Sequence, residues 1–133
     1  MSLNTPVVHH GMVSEYQASG VPYVSSSHAL TSTAVAQFSF PFVARHVTIF
    51  NSGSAAIRVG FTENGVNSNP NANYLLLVGN SQSPRLELKC ASIFVRKDEG
   101  TSSNTVSVVA GITNISKNQF FAMTGSNNVD GVG

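Results

Sequence analysis

Histidine is the residue type in this sequence that most often binds metal ions, and the spacing of the histidines shows whether one strand could present two ligands. The four histidines are His9, His10, His28 and His46. A metal-binding β-strand usually presents two ligands that are two residues apart, because alternate side chains point the same way. His9 and His10 are neighbours, and His28 and His46 are isolated. We therefore predict no metal site and no cofactor.

The single cysteine, Cys90, is the strongest candidate for a nucleophile. It lies in the segment LELKCASIF, where Leu86, Leu88 and Cys90 are spaced two residues apart and would face the same side of a strand. This pattern favours a thiol packed in the core over a reactive one. Nothing beside Cys90 or His46 resembles an activated nucleophile and its base. One cysteine also leaves no intrachain disulfide.

Acidic residues could act as a general acid and base only if two of them share a pocket. The six are Glu15, Glu63, Glu87, Asp98, Glu99 and Asp130. Asp98 and Glu99 are adjacent in a predicted turn, which favours solvated carboxylates. Glu87 lies between Arg85 and Lys89 on an outward alternation, as in a surface charge ladder. Basic residues are few and dispersed, and no phosphate-binding loop occurs, so we predict neither an enzyme nor a nucleic-acid-binding protein.

An asparagine-rich loop at 65–73 is the remaining candidate for ligand contact. It contains Asn67, Asn69 and Asn71, and Tyr74 follows it. Amides at the rim of a sandwich can bind sugar hydroxyls beside a stacking aromatic ring. The same residue types are typical of any tight surface loop, and we consider that interpretation the stronger one.

Alternation with a period of two residues dominates the chain and predicts β-strands with one face on a core. Turn residues such as NSGS and KDEGTSSN separate the alternating runs. The predicted strands are 21–27, 34–40, 44–51, 55–61, 74–78, 85–89, 92–96 and 105–112. Short strands without a helical period predict an all-β antiparallel sandwich, a single jelly roll of about eight strands.

Charge is the unusual feature of the composition. Only 10% of the 133 residues are charged, whereas about 25% is usual for soluble domains. The net charge is +1 and 41% of residues are hydrophobic. Ser, Asn, Thr and Gly make up the difference, and such a neutral surface costs little to desolvate. This composition favours a surface that is covered by neighbouring subunits.

The chain length predicts one domain with two extensions. We place an N-terminal arm at 1–20, the jelly roll at 21–116 and a C-terminal tail at 117–133. The start MSLNTPVVHHG lacks a basic segment followed by an apolar run, so we expect a soluble, non-secreted chain. The longest apolar runs are far shorter than the ~20 residues that span a bilayer, so we expect no membrane insertion.

The C-terminal tail contains three apolar residues that are candidate interface anchors: Phe120, Phe121 and Met123. On one interpretation they pack on neighbouring subunits and order on assembly. On the other, which is equally compatible with the sequence, they close the core of their own protomer.

Three segments carry a resemblance to a known family: FVARHVTIFNSGSAAIRVGFTENG, NYLLLVGNSQSPRLELKCASIFVRK and NTVSVVAGITNI. They resemble the single jelly-roll capsid proteins of large icosahedral double-stranded DNA viruses, and most of all the small penton proteins. The resemblance implies a structural virion protein, made in the host cytoplasm, that forms homopentamers at the fivefold vertices. Its partners would be other copies of itself and the neighbouring major and minor capsid proteins.

Two other functions are compatible with the same pattern. A capsid cement or decoration protein needs the same kind of neutral surface. A carbohydrate-binding or receptor-binding jelly-roll module would use the asparagine-rich loop instead.

Overall fold

Antiparallel strands are the main secondary structure of the chain in the computed structural model, which describes residues 21–31, 33–68, 72–99 and 104–119. The strands are β1 (Val21–Leu30), β2 (Ala36–Asn51), β3 (Ile57–Gly60), β4 (Leu75–Leu77), β5 (Ser81–Gln82), β6 (Cys90–Lys97) and β7 (Asn104–Ile112). A one-turn helix, α1 (Glu63–Val66), and a 3₁₀ turn (Lys117–Gln119) complete the described elements. The predicted all-β antiparallel class is confirmed.

The long strand β2 bends and belongs to two layers. Its N-terminal part pairs with β6, from Ala36 opposite Val95 to Ser39 opposite Ser92. Its C-terminal part pairs with β7, and the register is interrupted near Ala44 on both sides. Such irregularities bend a strand and increase its twist. The sequence predicted two strands, 34–40 and 44–51; this is wrong in one respect, because the bend joins them without a turn.

Strand pairing defines two layers. The first layer has the order β1, β7, the C-terminal half of β2, and β5, and the second has the N-terminal half of β2, β6, β3 and β4. Counted with β2 as two segments, this is the arrangement of eight strands in a jelly roll. The sandwich is therefore one hydrogen-bonded sheet folded on itself through β2, and the predicted jelly-roll-like architecture is confirmed.

One hydrophobic core lies between the layers. Alternating residues of each long strand point into it, for example Ile93 and Val95 of β6 and Val106 and Val108 of β7, all fully buried. Phe40 and Ile49 supply large side chains from the two halves of β2. The period-two alternation in the sequence therefore predicts the core face correctly on these strands.

The predicted strand at 85–89 is wrong. There, only Leu86 makes a bridge, to Val47, and the regular strand is the earlier β5. Pro84 has no N–H to donate, which interrupts the ladder. The hydroxyl of Ser83 partly replaces the interrupted ladder, because it accepts a hydrogen bond from Ile49 N at 2.9 Å.

The region predicted as a loop after β3 contains α1. Thr62 caps this helix, since its Oγ1 accepts a hydrogen bond from Gly65 N at 2.9 Å.

At the other edge, β1 runs past the predicted boundary at residue 27 to Leu30. The backbone of Ser27 adopts a positive φ of 55° within an irregular part of that strand.

Two buried asparagines link β2 and β7 to the turn after β2 and to the end of β4. Asn51 Nδ2 donates to the carbonyls of Ala55 (2.8 Å), Leu77 (3.2 Å) and Val78 (3.0 Å). Asn104 Nδ2 donates to Asn51 Oδ1 at 2.8 Å. These bonds satisfy carbonyls that the turns leave without strand partners. This amide pair fixes how β2, β4 and β7 meet.

We expect Asn51→Ala or Asn104→Ala to lower the free energy of unfolding by about 2–4 kcal/mol, because each leaves buried polar groups unpaired. Urea denaturation followed by circular dichroism measures this change. Asn114 is exposed, so Asn114→Ala is the matched control and should stay within ~0.5 kcal/mol of the unaltered protein. Equal, small effects at all three positions would contradict a structural role for the amide pair.

Candidate functional site

Cys90 and His46, the candidates for nucleophilic chemistry, lie in different environments. Cys90 is fully buried, and burial raises the pKa of its thiol to about 12. The predicted core position of Cys90 is therefore confirmed. His46 is only partly buried; its pKa is lowered by burial and then by the nearby positive charge of Arg85.

Two of the described carboxylates, those of Asp98 and Glu87, form ion pairs with arginines. Asp98 Oδ1 accepts from Arg58 Nε at 2.6 Å, and the Asp98 side chain is only 28% exposed. Asp98 is therefore only partly exposed rather than fully solvated, because it follows β6 directly and its N–H donates to the carbonyl of Ala56 beside β3 at 3.0 Å. Glu87 pairs with Arg85 at 2.8 Å, and both side chains are more than half exposed, as a surface charge ladder requires.

No group of three or more potential metal ligands occurs among the described residues. No helix in the described part of the chain is long and apolar enough to cross a membrane.

An arginine pair organises the outer surface of the second layer. Arg58 and Arg96 are register partners on β3 and β6. The guanidinium carbon of Arg58 lies 4.6 Å from the ring centroid of Tyr74, and its NH1 donates to the carbonyl of Val66 at 2.9 Å. Arg96 NH1 donates to Asn67 Oδ1 at 2.8 Å. The pair therefore fastens α1 and the following loop onto the sheet.

This arrangement bears on the candidate carbohydrate loop. Asn67 and Tyr74 both contact arginines of the same chain, which occupies an acceptor atom of one and a face of the other. Asn69 and Asn71 lie outside the described residues. Sequence reasoning missed the arginine contacts, although the outward alternation of Arg58 and Arg96 on two predicted strands was a usable signal.

Exposed large apolar residues lie on two opposite flanks of the sandwich. Edge-to-face contacts of Tyr23 with Phe40 (centroids 4.9 Å apart) and of His28 with Phe38 (5.1 Å) place β1 over the N-terminal half of β2. We call this side the β1 flank; its exposed large apolar residues are Val21, Val24 and Phe42.

The opposite side, the β4 flank, is defined by β4 and β5. Ser81 Oγ donates to the carbonyl of Val78 at 2.5 Å, which closes the turn between β4 and β5. Leu75 (44% exposed), Leu76 and Val78 (60% exposed) are its exposed apolar residues. Large apolar residues that are exposed in clusters mark sites of interaction. The structure thus shows two separate apolar surfaces. The sequence indicated only that the overall charge is low.

A cleft of about 440 Å³ opens on the β4 flank. Apolar and aromatic side chains line most of it: Phe61, Tyr74, Leu75, Leu86 and Leu88. Leu86 and Leu88, which the sequence placed on one core-facing strand, are only partly buried and form one wall of the cleft. The candidate anchors Phe120, Phe121 and Met123 lie outside the described residues.

No protein-family model matches the chain, and no curated protein is similar to it in sequence.

We expect the Cys90 thiol to be unreactive in the folded protein at pH 8, because it is buried and protonated. Ellman's reagent should react with it only at denaturant concentrations that unfold the chain. An added thiol at the exposed position Ser52, in the variant Ser52→Cys, is the control and should react at once. Rapid reaction of the unaltered protein would contradict the buried position.

His46 should make stability depend on pH. Its pKa is lowered from 6.5 by folding, so between that lowered pKa and pH 6.5 the unfolded chain binds more protons. Stability is therefore full above pH 6.5 and falls as the pH drops through this window. We expect His46→Asn to flatten this dependence in urea titrations at several pH values. Thr48→Asn, at a partly buried and non-titrating position two residues further along β2, is the control and should leave the dependence in place.

Proposed function

We propose that this protein is a structural subunit of an icosahedral virus capsid, a penton protein that forms homopentamers at the fivefold vertices. The observation that carries the proposal is the presence of two different apolar flanks on opposite sides of one jelly-roll-like sandwich. A closed ring uses a head-to-tail contact, in which one surface of each copy meets a different surface of the next.

The edge strands support the same proposal. Among the described strands, β1 and β4 are the ends of the strand order, so no described strand pairs with the outer side of either. Exposed edges promote uncontrolled pairing unless they are charged, interrupted or covered. The exposed residues of these edges include Val24 (61% exposed) and Leu76 rather than charges. A neighbouring copy in a ring would cover both edges.

Low charge supports an assembled state. With a net charge of +1, copies repel one another weakly, and few ions lose water when flanks meet. Weak contacts between copies and with the neighbouring major and minor capsid proteins would add up in a closed shell. The protein would then be made in the host cytoplasm and would function in the virion.

The resemblance of three segments to penton proteins selects a capsid from among ring-forming assemblies. Jelly rolls occur in capsids, lectins and cupins alike, and a fold alone does not assign a function. Against the lectin alternative, Asn67 and Tyr74 already serve contacts within the chain. The proposed role is non-enzymatic, in line with a buried Cys90 and a paired Asp98.

We expect the purified full chain to form a pentamer at tens of micromolar, as measured by native mass spectrometry and sedimentation velocity. Because the flanks are apolar and nearly uncharged, the pentamer should persist at high salt. A chain that remains monomeric, or that forms a twofold dimer, would contradict the ring. A reconstruction of the intact particle separates a penton, which lies on fivefold axes, from a cement protein, which lies elsewhere.

A further inference from the structure

We propose that the segment 120–123 folds back into the cleft on the β4 flank of its own chain and closes that end of the hydrophobic core. The apolar residues of the segment are Phe120, Phe121 and Met123. This contact lies within one chain, so it goes beyond the proposed function and would hold for a monomer as well.

Inward-facing side chains line the cleft, which is therefore an opening into the core. Leu75 lies two residues before the buried Leu77 on β4, so the two side chains point the same way. Phe61, Leu86 and Leu88 pack partly against the core cluster. Leu75 is nevertheless 44% exposed. Apolar surface that continues a core in this way is stabilised when another apolar group covers it.

The opposite edge shows how this fold covers its core elsewhere. There, Tyr23 packs edge-to-face on Phe40, and His28 on Phe38. Among the described residues the cleft stays open, with a volume of about 440 Å³ and no charged residue in its described lining. A dry cavity of about 150 Å³ already binds benzene, so the cleft has room for more than one large apolar side chain.

The described chain ends on the side of β7 that is nearer to the cleft. Thr113 N donates to the carbonyl of Val43 at 3.0 Å, and Val43 N donates to the carbonyl of Ile115 at 2.9 Å. Thr113 and Ile115 are both fully buried. The 3₁₀ turn that follows, Lys117–Gln119, contacts β2. The chain therefore leaves β7 along β2, the strand that lies between β7 and β5.

The cleft opens at the end of the sandwich where the chain leaves β7. Ala44 is the register partner of Ile112, the last residue of β7, and of Cys90, the first residue of β6. Leu88 of the cleft lies two residues before Cys90. Because β3 runs antiparallel to β6, Phe61 after the end of β3 lies towards the same end.

The residues after the 3₁₀ turn are long enough to reach the cleft. From Ile115 the path across β2 to Leu88 covers at most about 20 Å, given the spacing of strands and of residues along them. From Ile115 to Met123 the chain can extend up to about 24 Å, with the 3₁₀ turn included. The three apolar residues come directly after this turn, so closing the loop costs little entropy.

Two other occupants would have to come from further away. Residues 1–20 join β1 at Val21, and β7 and β2 lie between β1 and Leu86 of the cleft, a distance of roughly 14 Å at the usual strand spacing. A second copy would lose the entropy of association before its own segment could enter. The chain's own segment starts on β2, directly beside the wall of the cleft.

Two leucines of similar exposure test the cover. Leu75 lines the cleft and is 44% exposed, whereas Leu76 alternates with it and is 47% exposed. Because the segment covers only the first, Leu75→Ala should raise the equilibrium constant for unfolding at least about tenfold, and Leu76→Ala less than about threefold. Urea denaturation measures both, after dilution to a concentration at which sedimentation shows monomers.

A double-mutant cycle connects Leu75 to the segment. The triple variant replaces the three apolar residues with serine: Phe120→Ser, Phe121→Ser and Met123→Ser. In this variant the effect of Leu75→Ala should shrink to that of Leu76→Ala, because the cover is gone. Asn127→Ser with Asn128→Ser, further along the chain, is the matched control and should leave the full effect. An effect of Leu75→Ala that is equal in all of these chains would overturn the contact.

Cross-linking tests whether the cover comes from the same chain. Ala72 lines the cleft and is exposed, and Ala122 lies between the apolar residues of the segment. A chain with Ala72→Cys and Ala122→Cys, treated in dilute solution with a short bis-maleimide, should give single chains in which one linker joins both thiols, as mass spectrometry detects. Buried Cys90 does not take part. Ser52 follows β2 at the other end of the sandwich, so Ser52→Cys with Ala122→Cys is the control and should give little of this product.

The outcomes separate this contact from its rivals and from the proposed function. Cross-linked dimers and larger species in place of the intrachain product would assign the cleft to a second copy. Loss of the Leu75 effect on Val7→Ser with Val8→Ser would assign it to residues 1–20. Either result overturns the contact and leaves the pentameric capsid subunit in place. A chain that never forms pentamers overturns the proposed function alone, because the cover needs no other copy.

Discussion

The bend of β2 is the constraint on which the rest of this fold depends. Residues before it pair with β6, and residues after it pair with β7, so the two layers of the sandwich share one continuous strand. Thr113 holds the bend through the carbonyl of Val43. Because the neighbours of Phe42 are packed in the core at this point, the bend also determines where that side chain emerges. One local irregularity thus shapes the core and one apolar flank together.

Polar side chains in this protein serve the architecture. Asn51 and Asn104 bind turn carbonyls at one end of the sandwich, and Arg58 with Arg96 fastens α1 and its loop to the outer sheet. With these groups engaged, the uncommitted surface is mostly neutral, and its large apolar residues gather on the flanks. A surface of this kind favours contact with other protein over contact with solutes.

Much of the fold could be predicted from alternation alone, since one buried face with a period of two residues is visible in β6 and β7. The absence of a regular strand at 85–89 could not be predicted in this way. Leu86 and Leu88 alternate as in a strand, but Pro84 interrupts the hydrogen-bond ladder that they would have joined. The bend of β2 and the cleft were also hidden, because both depend on which strands are neighbours in space. Local sequence carries no record of such long-range pairing.

The shared strand has a mechanical consequence. A pull transmitted to β2 along its length is resisted by hydrogen bonds to β6 on one half and β7 on the other. Those bonds lie across the pull and must fail in shear, many at once, instead of opening one after another from an end. Neither layer can slide past the other while the strand is intact. A sandwich built this way resists tension along the shared strand more strongly than it resists peeling from an edge.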